Sequence, residues 1–233
     1  MASSAEPSVP RAVTLPLENA HLDADLRLPA GSRGLVLFAH GSGSGRRSPR
    51  NRFVAEALAR GQIASLLLDL LTADEAEEDE RSSRYRFDIP LLVRRLVRAI
   101  DWAEEERSTR GAELGLYGAS TGGAAALLAA AERPERVRAL VLRGARSDLA
   151  DDSAPKVAAP VLFLVGELDL PIREANQETA RRLGGTHETT VIRGATHLFE
   201  EPGALDAVAE RTVAWFSHHL AGGRGPAPAP PNA

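Results

Sequence analysis

Apolar residues fall into two patterns along the chain, alternating near the start and continuous afterwards. Residues 12–17 (AVTLPL) and 21–28 (HLDADLRL) alternate apolar with polar positions, which is typical of strands with one face in water. Residues 18–20 can turn the chain between them, so the pattern predicts an antiparallel hairpin. From Leu35 onward the apolar runs are short and continuous, as expected of strands that helices cover on both faces.

These later runs alternate with segments of helical periodicity. The predicted strands are 35–39, 63–68, 114–117, 136–142, 160–165 and 189–192, and the predicted helices are 51–60, 87–106, 172–183, 202–220 and one that starts after Ser120. Such alternation indicates an α/β fold with a mostly parallel central sheet and helices on both faces. We expect a flexible N-terminus over 1–10, a single domain over 11–220 and a disordered tail over 221–233.

Two connections have further consequences. The acidic stretch 72–80 (TADEAEEDE) is interpreted as a solvated loop. About 17 residues separate the strand that ends at Leu142 from the strand that starts at Pro160, which is too few for an inserted lid domain. We therefore expect an open, shallow site that accepts small or exposed substrates.

Composition excludes several classes of function. The chain has 233 residues, a net charge of −4 and no cysteine. The negative charge argues against nucleic acid as a partner, and the lack of cysteine excludes disulfides, thiolate metal sites and a cysteine nucleophile. No apolar run reaches the ~20 residues of a membrane span, and the first residues lack the pattern of a secretory signal. We expect a cytoplasmic monomer or homodimer without cofactor or metal.

A serine flanked by glycines stands near the middle of the chain. Residues 118–122 read GASTG, between an apolar run and an alanine-rich helix former. This G-x-S-x-G pattern in a strand–turn–helix context is typical of a serine nucleophile on a tight, strained turn. A side chain at Gly118 or Gly122 would collide with the neighbouring strand or helix. The alternative is an ordinary turn in which Ser120 caps the helix.

Acid and histidine candidates follow two later strands. Asp169 lies beyond the run 160–165, and His197 lies beyond the last predicted strand. Because the carboxyl ends of parallel strands meet at one edge of a sheet, these side chains are expected to converge with Ser120. Serine, acid and histidine also follow one another in the chain order of the α/β-hydrolase triad. Glu167 is the alternative candidate for the acid. His197 and Asp169 could each instead be an ordinary loop residue.

These residue types predict a specific chemistry. His197 would take the proton of Ser120 during attack and return it to the leaving group. Asp169 would fix the tautomer of the imidazole and stabilise its positive charge.

The tetrahedral intermediate needs backbone N–H groups directed at its oxyanion. One would come from Thr121, the residue after the nucleophile. The other would come from the loop at Gly41 and Ser42, where glycines allow the backbone to approach a substrate closely.

Substrate contacts are predicted at the same edge of the sheet. His40, Arg143 and Arg146 each follow a predicted strand. The arginines could bind an anionic group of a substrate through bidentate hydrogen bonds, together with four arginines near the glycine-rich loop: Arg46, Arg47, Arg50 and Arg52. Alternatively, these arginines pair with Glu200, Glu201 and the acidic stretch, as most loop charges do.

Two other classes of function compete with hydrolysis. The glycine-rich loop after residues 35–39, with Asp69 after the next strand, suggests a dinucleotide-binding oxidoreductase. However, Arg46 occupies the position of the third glycine of G-x-G-x-x-G. A catalytically silent binding protein on a hydrolase fold is the second alternative, because a fold does not fix function.

Five segments carry a resemblance to a known family: HGSGSGRRSPRNRFVAEAL (40–58), LLLDLLT (66–72), RFDIPLL (86–92), YGASTGGAAAL (117–127) and GATHLFEEPGAL (194–205). Over about residues 12–217 the chain resembles the dienelactone hydrolase-like group of α/β-hydrolases, and in particular the branch that also occurs fused to phosphoribosyltransferase domains. The resemblance implies the α/β-hydrolase fold and a triad of Ser120, Asp169 and His197. Dienelactone hydrolases use a cysteine nucleophile where this chain has serine, so the expected chemistry is that of a serine esterase acting on esters or lactones.

Overall fold

The computed structural model describes residues 8–220, without the side chain at position 151. The tail expected over 221–233 and most of the N-terminal segment expected over 1–10 lie outside the described residues. Eight strands form one sheet. They are β1 (Arg11–Pro16), β2 (His21–Arg27), β3 (Leu35–Ala39), β4 (Ala64–Leu68), β5 (Leu114–Ala119), β6 (Val137–Arg143), β7 (Val161–Gly166) and β8 (His187–Ile192).

The sheet begins antiparallel and continues parallel. Its order is β1-β2-β4-β3-β5-β6-β7-β8. β2 pairs antiparallel with both β1 and β4, and every later pair is parallel. β2 alternates buried and half-buried positions, whereas β3 and β4 are buried at every position. This confirms the predicted hairpin and the predicted parallel sheet.

Helices cover both faces, as the apolar runs of the central strands require. They are α1 (Pro49–Arg60), α2 (Ala73–Ser82), α3 (Ile89–Glu105), α4 (Thr121–Glu132), α5 (Leu170–Arg182) and α6 (Ala204–Leu220). One apolar core lies under α3 and α4, where Leu92, Leu96 and Ile100 point inward at helical spacing. A second core lies under α1 and α6, around Leu58 and Phe216.

The connection between β6 and β7 contains only a short 3₁₀ helix, Ser147–Lys156. No lid domain is therefore inserted there, as predicted. Within residues 8–220, none of the helices is both long enough and apolar enough to cross a membrane.

The acidic stretch 72–80 is helical, so its interpretation as a loop was wrong. α2 starts with a capping box, in which the Thr72 hydroxyl accepts a hydrogen bond from the Glu75 N–H (3.3 Å) and the Glu75 carboxylate accepts one from the Thr72 N–H (2.8 Å). This T-x-x-E pattern stabilises a helix N-terminus, and acidic residues in the first turn interact favourably with the helix dipole. The charge of the stretch suggests a loop, whereas its capping signal favours a helix.

Asp79 is the one buried residue of α2, with only 4% of its surface exposed. Its carboxylate accepts hydrogen bonds from the N–H groups of Tyr85 (2.7 Å) and Arg86 (2.9 Å) and from Nε of Arg86 (2.7 Å). Burial opposes the ionisation of this carboxyl group, but the backbone and guanidinium hydrogen bonds outweigh it and lower the pKa of Asp79. Asp79 thus fixes the segment after α2.

Replacement of Asp79 tests this anchor. Asp79→Asn leaves buried N–H groups without a charged acceptor and is expected to lower the free energy of unfolding by roughly 1–3 kcal/mol. Since the folded state lowers the pKa of Asp79, its contribution is present above the ordinary carboxyl pKa and is lost as the pH falls below it. Urea denaturation at pH 7 and at pH 3 measures both effects.

Glu77→Gln is the matched control, because Glu77 is exposed and, within the described residues, its side chain pairs with Arg81 alone, at 3.2 Å. We expect a change of at most about 0.5 kcal/mol for it. Equal losses in the two variants would contradict the anchoring role of Asp79.

Candidate active site

Ser120 lies on the sharp turn between β5 and α4. Its backbone adopts φ 51° and ψ −121°, a strained conformation for a residue with a side chain. Both of its backbone groups are held by the neighbouring strand end, because its N–H donates to the Arg143 carbonyl (3.2 Å) and its carbonyl accepts from the Arg146 N–H (3.0 Å). The turn therefore keeps Ser120 in a fixed orientation at the carboxyl edge of the sheet.

Glycines allow this turn to pack closely. A Cβ atom on Gly122 would lie 2.2 Å from the carbonyl oxygen of Ala39, and one on Gly118 would lie 2.6 Å from Cα of Gly123. Neither contact is possible for a larger residue without displacement of backbone. The collisions expected from the sequence thus involve β3 on one side and α4 on the other.

His197 lies between Ser120 and Asp169. Its Nε2 atom is 3.3 Å from the Ser120 hydroxyl oxygen, and its Nδ1 atom is 2.6 Å from Oδ2 of Asp169. The Asp169 side chain is 12% exposed and the His197 side chain 38% exposed, so the acid is shielded while the imidazole remains accessible. The three side chains that the sequence analysis grouped together are therefore in contact.

Glu167, the competing acid, has a different partner. Its carboxylate accepts a hydrogen bond from the Gly194 N–H at 2.7 Å. It holds the beginning of the loop that carries His197, and the carboxylate in contact with the imidazole belongs to Asp169.

Three further features shape the loop that carries His197. Phe199 is buried and has a positive φ of 56°, which is a rare conformation for a bulky residue. The Thr196 N–H donates to Glu201 at 3.0 Å. A Cβ atom on Gly144 would lie 3.4 Å from the His197 ring, so β6 supports the imidazole from below. The contact of Gly144 with the His197 ring joins the ends of two different strands, so no local sequence motif marks it.

The glycine-rich loop after β3 lies directly against the serine turn. A Cβ atom on Gly41 would lie 3.1 Å from Cβ of Ser120 and 3.2 Å from the carbonyl oxygen of Ala119. Within residues 8–220, the N–H groups of Ser42 and Thr121 donate to no other protein group. Two unpaired N–H groups thus flank Ser120, on the loop and on the first turn of α4.

His40, a candidate substrate contact, lies beneath this loop with only 7% of its surface exposed. Nε2 of His40 is 3.0 Å from the Leu70 amide nitrogen, and Nδ1 is 2.9 Å from the Gly41 carbonyl oxygen. Burial lowers the pKa of His40, against the opposing effects of the Gly41 hydrogen bond and the Asp69 charge. Both ring nitrogens are therefore occupied by protein groups.

The two arginines predicted as substrate contacts also have protein partners. The Arg146 guanidinium binds the Asp148 carboxylate through two hydrogen bonds of 2.9 and 2.7 Å, which lower the pKa of Asp148. Arg143 is 8% exposed, and its guanidinium carbon lies 5.5 Å from the centre of the Phe199 ring, within the range of a cation–π contact.

Most arginines near the glycine-rich loop are paired, as the pairing alternative expected, but Arg46 and Arg52 pair with aspartates outside the acidic stretch 72–80 rather than with the expected glutamates. Arg46 pairs with Asp69, Asp23 and Asp25, Arg50 with Glu200, and Arg52 with Asp25. In the part of the chain that the structure describes, the exception is Arg47, which has no ion pair.

A cavity of about 150 Å³ opens beside the loop. Ser42 and Thr121 line one side, and Ala76, Asp79 and Arg86 line the other. The helix that was interpreted as a loop therefore forms a wall of this cavity, and its T-x-x-E signature could have revealed it. No group of three or more histidine, aspartate or glutamate side chains among the described residues is arranged to hold a metal ion.

Comparison with known proteins places this chain in a family. The dienelactone hydrolase family model matches residues 53–220. A crystal structure of a dienelactone hydrolase from Anabaena variabilis is 50% identical, with a TM-score of 0.90, over 92% of this chain and 99% of that one. It shares the α/β-hydrolase fold described above.

Two curated relatives extend the comparison. A putative phosphoribosyl transferase of Mycobacterium tuberculosis is 48% identical over 197 residues, which is 84% of this chain but 44% of that protein. This chain thus spans less than half the length of that relative. A probable 2-oxo-3-(5-oxofuran-2-ylidene)propanoate lactonase from Bradyrhizobium sp is 28% identical over 73% of this chain and 79% of that protein. The family match and the Anabaena structure confirm the resemblance found in the sequence: the chain belongs to the dienelactone hydrolase family.

Proposed function

We propose that this protein is a serine hydrolase that cleaves carboxylic esters or lactones through an acyl-enzyme intermediate. The observation that carries the proposal is the continuous contact from the Ser120 hydroxyl through the His197 imidazole to the Asp169 carboxylate, at 3.3 and 2.6 Å. Membership of the dienelactone hydrolase family supports an ester- or lactone-cleaving activity. The serine in place of cysteine gives the proposal its specific nucleophile.

The reaction follows from the chemistry of the three side chains. His197 accepts the hydroxyl proton at Nε2 while the Ser120 oxygen attacks the carbonyl carbon of the substrate. The Asp169 carboxylate accepts the Nδ1–H and stabilises the imidazolium that forms. His197 then gives the proton to the leaving alcohol oxygen, and the same steps with water release the acyl group from Ser120.

Two backbone N–H groups would stabilise the negative charge that develops on the substrate oxygen. The N–H of Thr121 also benefits from its place at the N-terminus of α4, where the helix dipole favours negative charge. The N–H of Ser42 lies on the loop that packs against Ser120. Each such donor lowers the barrier by about 3 kcal/mol in comparable hydrolases.

The cavity beside these donors suggests the size of the acyl group. At about 150 Å³ it matches a cavity known to hold one benzene molecule. We propose that short or compact acyl groups, including small lactone rings, bind between the loop and α2.

The alternatives explain less of the site. A dinucleotide-binding oxidoreductase needs a free acidic group for ribose, but the Asp69 carboxylate is engaged by Arg46. A catalytically silent binding protein does not explain why a strained serine contacts a histidine–aspartate pair. Strain of this kind costs about 1–3 kcal/mol and persists where function maintains it.

Ser120→Ala tests the nucleophile. Removal of the hydroxyl is expected to abolish hydrolysis of p-nitrophenyl acetate and covalent labelling by a fluorophosphonate. The far-ultraviolet circular dichroism should stay unchanged, because among the described residues the hydroxyl has a single hydrogen-bond partner, His197. Retained turnover would remove Ser120 from the mechanism. A wild type that neither turns over nor labels would support the silent binding protein, and tight binding of a nicotinamide dinucleotide would support the oxidoreductase.

A pair of isosteric variants identifies the acid. Asp169→Asn is expected to lower kcat on the order of 10³-fold or more, since an amide favours the wrong imidazole tautomer. Glu167→Gln is the matched control and should stay within about threefold of wild type, because its amide oxygen can still accept from Gly194. Steady-state kinetics with a p-nitrophenyl ester measures both. A larger loss in Glu167→Gln would transfer the role of acid to Glu167.

A further inference from the structure

We propose that His40 is a positioning residue, whose ring orients the Gly41–Ser42 peptide so that the Ser42 N–H faces the substrate oxygen. This inference rests on the proposed hydrolase function. It concerns a buried side chain whose two ring nitrogens both contact backbone groups, on Gly41 and on Leu70.

The hydrogen bonds of His40 determine where its proton lies. The Leu70 N–H can only donate, and it lies 3.0 Å from Nε2, so Nε2 must carry a lone pair. In the neutral ring the proton is then on Nδ1. The atom 2.9 Å from Nδ1 is the Gly41 carbonyl oxygen, which can only accept. The ring is therefore a donor toward Gly41 and an acceptor toward Leu70.

This donor fixes a peptide plane. A trans peptide places the carbonyl of one residue and the N–H of the next on opposite sides. Because the Gly41 carbonyl is held by His40 and also accepts from the Ser44 N–H at 3.2 Å, the Ser42 N–H points to the other side. Rotation of this one peptide would replace an N–H donor by a carbonyl oxygen and so repel the oxyanion.

The other end of this loop, at Arg46, is bound by Asp69, the residue that precedes Leu70. The Asp69 carboxylate accepts from the Arg46 N–H at 2.6 Å and also binds the Arg46 guanidinium. Asp69 and Leu70 follow β4, the direct neighbour of β3 in the sheet. Two consecutive residues thus hold both ends of the loop from His40 to Arg46, and His40 is the end nearer to Ser120.

Two variants separate the two hydrogen bonds of His40. The amide nitrogen of asparagine can replace Nδ1 as donor to Gly41, whereas the amide oxygen of glutamine can replace Nε2 as acceptor from Leu70. We expect His40→Gln to lower kcat at least tenfold with KM within about twofold of wild type. His40→Asn should recover most of that loss. The inhibition constant of a boronic acid that forms a tetrahedral adduct should rise in His40→Gln in parallel with the fall in kcat.

The matched control is His187→Gln, the same substitution at an exposed residue at the amino end of β8. It should leave kcat and KM unchanged. A folded His40→Gln variant with wild-type kcat, or one that retains more activity than His40→Asn, would overturn the proposal. Thermal denaturation of each variant shows whether it is folded.

A measurement on the wild type keeps the test valid if the variants do not fold. Nitrogen NMR of the imidazole should find the His40 proton on Nδ1, and a proton on Nε2 would refute the inference. The proposed function fails separately, if the wild type neither hydrolyses p-nitrophenyl acetate nor reacts with a fluorophosphonate. An active wild type with a neutral response to His40→Gln would refute the positioning role alone.

Discussion

The close approach of two loops across glycine is the constraint on which the site depends. The serine turn packs against β3, where a Cβ atom on Gly122 would lie 2.2 Å from the Ala39 carbonyl oxygen. The loop that follows β3 packs against Ser120 at Gly41. β3 and β5 are direct neighbours in the sheet, so the sheet itself sets this distance. Ser120 and both candidate oxyanion donors are therefore held by a single packed contact between two strand ends.

The order of the strands explains how the remaining groups reach the serine. β6 lies between β5 and β7, and its end supplies Gly144, which supports the His197 ring while leaving space for it. The loops after β7 and β8 then bring Asp169 and His197 in from one side. Hydrogen bonds between the Ser120 backbone and the end of β6 maintain its strained φ and ψ angles. Hydrogen bonds from the end of the adjacent strand thus offset the strain energy of the Ser120 backbone.

Local patterns in the sequence predicted most of the fold. Fully buried parallel strands such as β3 are continuous apolar runs, and α3 shows apolar residues at helical spacing, so both were predicted to within a few residues. α2 was missed because nine mostly acidic residues suggested a loop, although Thr72 and Glu75 form a capping box. The role inferred for His40 could not be read from the sequence, because it depends on a hydrogen bond from Leu70, which belongs to another strand connection. The pairing of Arg143 with the Phe199 ring is equally non-local.

The two sides of the cavity differ in how firmly they are held. The loop from His40 to Arg46 is tethered at both ends to residues that follow β4. α2, which forms the opposite wall, buries only Asp79 and contributes no apolar side chain to either core. Since segments with few buried apolar contacts open at low free-energy cost, α2 is the wall of the cavity that can move more easily. The candidate triad and N–H donors thus lie on the tethered side of the cavity, whereas the opposite wall is held mainly by the polar contacts of Asp79 and by the ion pair of Glu75 with Arg95.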